Sequence, residues 1–343
     1  MTKVLVTGAT GFIGANLTRV LLDNNHSVKV LVRPTSDYGN LTGLDIEVET
    51  GDLRDFNSLL NATKDCDTVY HVAAEYNFWS QNPDVVYQSN VDGTKNLLEA
   101  CKQNNVSKVV YTSTVGTIGL SENPKPCNEN TPLVSDQMTG HYKTSKFEAE
   151  KIALDYAKKG LPVVIVNPSA PVGSFDRKPT PTGKIILDFL KGKLPAYLNT
   201  GLNIAHVRDV ALGHILAAQN GRVGERYILG NQNMSLAEIL NLLSKITGRP
   251  APWMKIPYSV AWIAGMTSTK ISDWVTHKPP AVPIEAVKMA KRYMYFDSSK
   301  AVKELGLPQS NIQSAFEDAV EWFLSQKKNY NISERVIYNG YSS

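Results

Sequence analysis

The sequence predicts an α/β protein: a doubly wound parallel sheet of the Rossmann type, followed by a smaller, mostly helical C-terminal unit. Three observations predict it. Strand and helix patterns alternate through the first half of the chain, a glycine-rich turn directly follows the first strand, and the alternation stops after Pro168. Strands that alternate with helices in this way build parallel sheets with right-handed crossovers.

The elements follow in order. Short β-rich runs lie at 3–6, 28–32, 46–49, 68–72, 108–112 and 163–166, each apolar enough for burial on both faces. Between them, Ile13, Leu17, Val20 and Leu21 share one helix face, as do Val91, Thr94, Leu97, Leu98 and Cys101. Residues 171–202, with Lys178-Pro179-Thr180-Pro181-Thr182-Gly183, read as a loop with short helical pieces. A strand at 204–207, a helix at 209–219 and a short strand at 227–229 come next, and the remainder is mostly helical. The expected division is residues 1–170 plus a return segment of about 203–230 for the sheet unit. Residues 171–202 and about 231–327 make the second unit, and 328–343 form a loosely held tail.

Composition narrows the field. The 343 residues are 42% hydrophobic and 20% charged, enough for a sizeable core and against wholesale disorder. The net charge of +4 comes without a Lys/Arg-rich block, so no nucleic-acid partner is expected. The longest apolar stretch, 260–266, falls far short of the roughly 20 residues that a bilayer requires, so no membrane span is expected. Strand pattern from residue 3 leaves no room for a signal peptide, and Cys66, Cys101 and Cys127 make no disulfide framework. A cytoplasmic location is expected. The six histidines show no paired metal spacing, so no metal site is expected.

Three places carry chemistry. The first strand runs into Thr7-Gly8-Ala9-Thr10-Gly11-Phe12-Ile13-Gly14, and a helix follows at once. Glycines let the backbone approach a pyrophosphate, and the helix N-terminus offers free N–H groups. Gly8, Thr10, Gly11, Phe12, Ile13 and Gly14 are therefore candidate dinucleotide contacts. The second strand ends at Val32-Arg33-Pro34, with no acid for a ribose 2′-hydroxyl. Arg33 suits a 2′-phosphate, so NADP(H) is expected over NAD(H), the alternative being a solvated surface arginine. Asp52, beside Leu53, could accept the adenine amino group or cap the next helix.

Tyr142 and Lys146 lie four apart on one helix face. An ammonium about 4 Å from the phenol contributes about 4 kcal/mol at an effective dielectric near 20. That is roughly three pKa units, enough to bring a tyrosine near working pH. Thr112, Ser113 and Thr114 end the fifth strand, where open α/β sheets bind ligands. At least one should face the cofactor, and the others make local turn bonds.

The glycine loop, the Ser/Thr cluster and Tyr-x-x-x-Lys, in that order, resemble the extended short-chain dehydrogenase/reductase family over about residues 1–325. The likeness extends to His71-Val72-Ala73-Ala74, Asn90-Val91-x-Gly93-Thr94 and Asn167-Pro168-Ser169-Ala170-Pro171-Val172-Gly173. Within the family the sequence is most similar to dihydroflavonol-reductase-like proteins and the hopanoid-associated sugar epimerase group. The resemblance implies that Thr114 is the catalytic hydroxyl, Tyr142 the acid/base and Lys146 its partner. It implies that Ala73 and Ala74 pass beneath the nicotinamide ribose, that Asn90 is structural or a relay, and that Pro168 contacts the carboxamide.

The reaction is narrowed by what is missing. Dehydratases of this family place an Asp-Glu pair after the strand-five hydroxyl, where this chain has Val115 and Gly116. Epimerases hold a diphosphate with arginines, but Thr200-Gly201-Leu202-Asn203 and Gly173-Ser174-Phe175-Asp176 have none, although Arg177 follows. Glu75, Tyr76, Phe78 and Trp79 border the substrate in this fold, and the aromatics favour a flat or apolar one, unless they pack against the second unit. Thr114 and Ser169 join them as substrate-facing candidates. Trp253, Trp262 and Trp274 are expected in a core or interface. The expected activity is an NADPH-dependent carbonyl reductase on a small-molecule carbonyl or hydroxyl compound. The alternatives are a sugar epimerase that retains its nucleotide and a non-catalytic NADP(H) sensor. The resemblance allows a monomer or a homodimer formed through helices at about 83–104 and 140–158.

Overall fold

The computed structural model describes residues 2–76, 83–121, 124–138, 140–276, 280 and 282–332. The chain opens with β1 (Lys3–Thr7), α1 (Phe12–Asp23), β2 (Ser27–Val32), β3 (Glu47–Thr50), α2 (Phe56–Thr63) and β4 (Thr68–His71). It continues through α3 (Pro83–Tyr87), a π-turn, α4 (Gly93–Gln103), β5 (Lys108–Thr112), α5 (Gly140–Lys158) and β6 (Val163–Pro168). Then come β7 (Ala170–Val172), α6 (Pro181–Leu190), β8 (Ala196–Tyr197), β9 (Gly201–His206), α7 (Val207–Asn220) and β10 (Arg226–Leu229). The last part holds β11 (Gln232–Ser235), α8 (Leu236–Thr247), β12 (Met254–Lys255), α9 (Tyr258–Ile271), α10 (Ile284–Met289), α11 (Ser299–Leu305), α12 (Ile312–Ser325) and α13 (Lys327–Tyr330).

Among the described residues, seven strands form one parallel sheet in the order β10-β6-β5-β4-β1-β2-β3. The order reverses between β1 and β4, so a crevice opens beyond the carboxyl ends of those strands. Alternation along each strand divides the core in two. Val4, Val6, Val30, Val110 and Val164 face α1, α7 and α11, and Leu5, Leu31, Val109, Tyr111 and Ile165 face α2, α4 and α5. A third core, around Ile186, Leu190, Leu240, Phe316 and Phe323, unites α6, α8 and α12.

Several expectations change. β3 is an edge strand, not one buried on both faces: Val48 is 46% exposed. The segment expected as a loop contains α6, because Thr180 caps Gly183 N–H and Pro181 sits in the first turn with its φ already helical. β9 pairs with β7 and β11 in a small sheet of its own, so of the return segment α7 and β10 complete the main layers. The start of the tail is held, since Tyr330 Oη donates to the Arg177 carbonyl at 2.8 Å and Ile332 is buried. Residues 333–343 lie outside the described residues.

Candidate active site

The glycine loop is shaped by close approach. Gly8 has φ +74°, and a Cβ there would meet Ala73 Cα and N at 2.7 Å. A Cβ on Gly14 would lie 2.1 Å from the Gly8 carbonyl oxygen. α1 begins after Gly11 with no side-chain cap, so the first N–H groups of the helix, from Phe12 onward, face the crevice side of the loop. Thr10 is held through its carbonyl, which accepts from Asn40 Nδ2 at 3.1 Å. Residues 174–177 strap this loop from the C-terminal side. Asn16 Nδ2 donates to the Ser174 carbonyl at 3.0 Å, and the Arg19 guanidinium lies 3.7 Å from the Phe175 ring centroid. The N–H donors and tight glycines fit a dinucleotide pyrophosphate, and Ser113 Oγ at the end of β5 is buried without a hydrogen-bond partner among the described residues.

At the end of β2, Arg33 is half exposed and its Nη1 stands 3.7 Å from Glu75 Oε2. Glu75 therefore faces Arg33 as well as bordering the expected substrate region. Asp52 does not cap the next helix: Asp55 does, accepting from Asn57 N–H. Asp52 instead takes a two-pronged bond from Arg54, with Nε and Nη2 both at 2.8 Å, which holds its carboxyl below the usual carboxylate range. Leu53 packs over Gly93, where a Cβ would come within 2.7 Å.

β4 delivers a polar chain that composition alone does not expose. Thr7 Oγ1 lies 2.9 Å from His71 Nδ1, and His71 Nε2 lies 2.9 Å from Thr94 Oγ1. Thr94 donates onward to the Asn90 carbonyl at 2.7 Å, which leaves Nε2 as the histidine donor. Burial, aided by Lys146, pushes the His71 pKa down to about 3, so the ring is neutral. Ala73 N–H donates to Thr7 Oγ1 at 3.2 Å, tying the chain after β4 to β1. Asn90 plays a structural part: Oδ1 accepts from Glu75 N–H at 2.7 Å, and Nδ2 donates to the Glu75 carbonyl and to Ser145 Oγ at 3.0 Å. It thus clips the segment after β4 to the first turns of α5.

α5 carries Tyr142, Lys146 and Glu150 on one face. Lys146 is buried; its Nζ donates to the Thr112 carbonyl at 2.7 Å and lies 4.5 Å from the Tyr111 ring centroid. The Tyr142 ring meets Tyr76 edge-on at 4.5 Å. Here the electrostatics depart from the sequence expectation. Burial pushes the Tyr142 phenol up, not down, and pushes Lys146 down to about 7, with Glu150 opposing the latter. Desolvation disfavours both charged forms, and at Lys146 it outweighs the attraction of Glu150.

The strand-five hydroxyls divide by alternation. Thr112 Oγ1 turns toward α7 and lies 2.9 Å from His214 Nε2, so Thr112 offers the crevice its carbonyl, not its hydroxyl. Thr114 Oγ1 accepts from Gly116 N–H at 3.1 Å, capping a short 3-10 turn, and its own proton is left for another acceptor. Pro168 is buried at the end of β6, and Ser169 Oγ donates to the Leu229 carbonyl at 3.3 Å. Phe78 and Trp79 lie outside the described residues. Among the described residues no cluster of His, Cys, Asp and Glu could hold a metal, and no helix is long and apolar enough to cross a membrane.

Sequence reasoning missed Glu150. Its Oε2 accepts from Thr117 Oγ1 at 2.8 Å and Asn167 Nδ2 at 2.9 Å, and its Oε1 from Arg226 Nη1 at 3.2 Å. Asn167 Nδ2 also reaches the Thr114 carbonyl at 3.0 Å. Spacing alone could have flagged it, four residues after Lys146.

A family model described as the NAD dependent epimerase/dehydratase family matches residues 4–230. A Synechocystis sp. protein provisionally named dihydroflavonol 4-reductase is 46% identical over 328 residues, with 93% of each chain covered. Sterol demethylase protein B of Methylococcus capsulatus is 34% identical over 321 residues, covering 93% of this chain and 97% of the relative. The crystal structure of gox2253 is similar with a TM-score of 0.84 at 42% identity, covering 95% of this chain and 99% of that one. With the glycine loop, the reversing strand order and the Tyr142–Lys146 pair in place, the chain belongs to the NAD-dependent epimerase/dehydratase family, of the extended short-chain dehydrogenase/reductase type.

Proposed function

We propose that the protein is an NADPH-dependent reductase of an apolar carbonyl compound. The observation that carries this is the bond from Lys146 to the Thr112 carbonyl. It anchors Lys146, on the helix that carries Tyr142, to the end of β5, one strand from the place where the sheet order reverses. A bound nicotinamide dinucleotide supplies hydride-transfer chemistry. Gly8, Gly11 and Gly14 would admit its pyrophosphate, with Thr10, Phe12 and Ile13 on the loop and helix start. Ala73, Ala74 and Pro168 would flank the nicotinamide end, and Asp52 and Leu53 the adenine.

The chain's own residues do the rest. Thr114 would donate to the carbonyl oxygen, and Tyr142 would deliver the proton that the oxygen takes up. Lys146 would hold the ribose and stabilise the deprotonated phenol once charged. Positioned acid catalysis of this kind contributes about 10²–10⁴ in rate. Residues 171–202 and 231–327 would form the substrate side, with Tyr76, Glu75 and Ser169 at its border.

Three observations favour a reductase of apolar substrates. Tyr76 stacks edge-on against Tyr142, which makes an aromatic wall beside the proton donor. Arg177, which follows the expected diphosphate position, is paired with Asp37 at 2.9 Å. The two relatives carry the names dihydroflavonol 4-reductase and sterol demethylase protein B, and a reductase is in keeping with the first. The preference for NADP(H) rests on Arg33.

The test is a screen of ketones and aldehydes that follows NADPH absorbance. The reading expects steady NADPH consumption equal to the carbonyl reduced. A nucleotide that stays bound through turnover, with no net consumption, would make the protein an epimerase and overturn it.

A further inference from the structure

The helical unit leaves one apolar face uncovered. α9 has a single charged residue, Lys270, in fourteen. Its buried positions are Ala261 and Gly265, and these meet α10: a Cβ on Gly265 would lie 3.0 Å from Val287 and 3.3 Å from Ile284. The other side looks outward. Val260, Ile263 and Ile271 are 51%, 58% and 53% exposed, Trp253 just before the helix is 87% exposed, and Trp274 just after it 81%. At 3.6 residues per turn, Val260, Ile263, Ala264, Thr267 and Ile271 fall within one arc of about 100°. Of the core or interface expected for Trp253, Trp262 and Trp274, the core is excluded, since all three are exposed.

Lysines frame the stripe. Lys270 stands beside it near the helix end, and Lys255 and Lys291 line a shallow hollow with Pro257 and Tyr258 at the helix start. The one acid that follows directly, Asp273, already has a partner, and Glu285 on α10 is paired with Lys288 at 3.2 Å. A second copy laid antiparallel on this stripe would set these lysines against one another, which disfavours it. An anionic lipid surface complements them, and exposed tryptophans at both ends suit the headgroup level. A helix of fourteen residues is too short to cross a bilayer.

We propose that α9, with Trp253 and Trp274, docks this protein on an anionic membrane surface, lying in the plane of the interface. α10 also touches the start of α5, since a Cβ on Gly140 would lie 3.4 Å from Glu285 Oε2. Through that contact the docking unit is joined to the helix that carries Tyr142.

The test is co-sedimentation of the full chain with phosphatidylcholine vesicles, with and without phosphatidylglycerol. Binding should require phosphatidylglycerol and weaken with salt. Trp253→Ala and Trp274→Ala should each weaken it about 10-fold, and Lys255→Gln, Lys270→Gln and Lys291→Gln about 5-fold each. All five are exposed positions, so thermal unfolding should stay unchanged. No binding at low salt, or binding that none of these variants alters, would overturn the proposal. So would a concentration-dependent dimer that the tryptophan variants abolish, which would make the stripe a protein interface. None of these readouts depends on the reductase activity.

Discussion

Glu150 Oε2 accepts a hydrogen bond from Asn167 Nδ2 at 2.9 Å, and through it α5 is locked to the end of β6. The same Nδ2 holds the Thr114 carbonyl. One buried carboxylate therefore fixes the strand-five hydroxyl and raises the pKa of Lys146 one turn away. Removing its charge should lower the Lys146 pKa further below about 7. If activity needs the ammonium, kcat/KM falls as pH rises through that value, and Glu150→Gln moves this limb to lower pH. A purely structural role would reduce activity without moving the limb, so the pH profile of kcat/KM separates the two.

Arg33 is exposed enough to meet a 2′-phosphate and is held near Glu75 by a loose pair at 3.7 Å. Arg33→Asp should weaken NADPH binding by at least about tenfold more than NADH binding, as charge-assisted bonds to phosphate are lost. Fluorescence titration with the two nucleotides checks it; equal losses would leave Arg33 without a part in the selection.

Two buried histidines make stability acid-sensitive. Burial lowers His71 to about 3 and His214 to about 4. The unfolded chain protonates both near 6.5, so it binds more protons than the folded one below that pH. Folded stability is thus full above about 6.5 and is lost as pH falls toward the folded values. Between pH 7 and 5 the loss should be on the order of 2 kcal/mol per histidine. Urea unfolding at the two pH values measures it, and stability that rises on acidification would contradict it.

Gly14 has no room for a side chain, with the Gly8 carbonyl oxygen 2.1 Å from any Cβ. Gly14→Ala should push the loop off its turn and weaken nucleotide binding at least about tenfold, while the seven-stranded sheet persists. Calorimetric titration with NADPH reads this, with far-ultraviolet dichroism as the check on the fold.

Much of the sheet was legible because buried parallel strands and helix stripes leave strong periodic patterns. The glycine loop, Tyr142 and Lys146 were legible because their spacing is local. Alternation along β5 carries the orientation of Thr112, since it shares a face with Val110, and it decides which of the strand-five hydroxyls turns away from the crevice. α6 was signalled by Thr180 and Pro181, but the density of proline and threonine read as a loop. The shifts at Tyr142 and Lys146 could not be read from spacing, because they depend on burial in the folded chain. The spacing of Glu150 after Lys146 was legible, but its bonds were not, because its partners Thr117, Asn167 and Arg226 lie on three other parts of the chain. The exposure of Trp253 and Trp274, on either side of α9, depends on tertiary packing that no local pattern encodes.

The most direct measurement compares the full chain with its Tyr142→Phe variant for NADPH binding and for carbonyl-dependent NADPH oxidation. Proton delivery by the phenol predicts nucleotide affinity within a few-fold of the parent and turnover lower by about 10²–10⁴. Turnover that survives the substitution would contradict it.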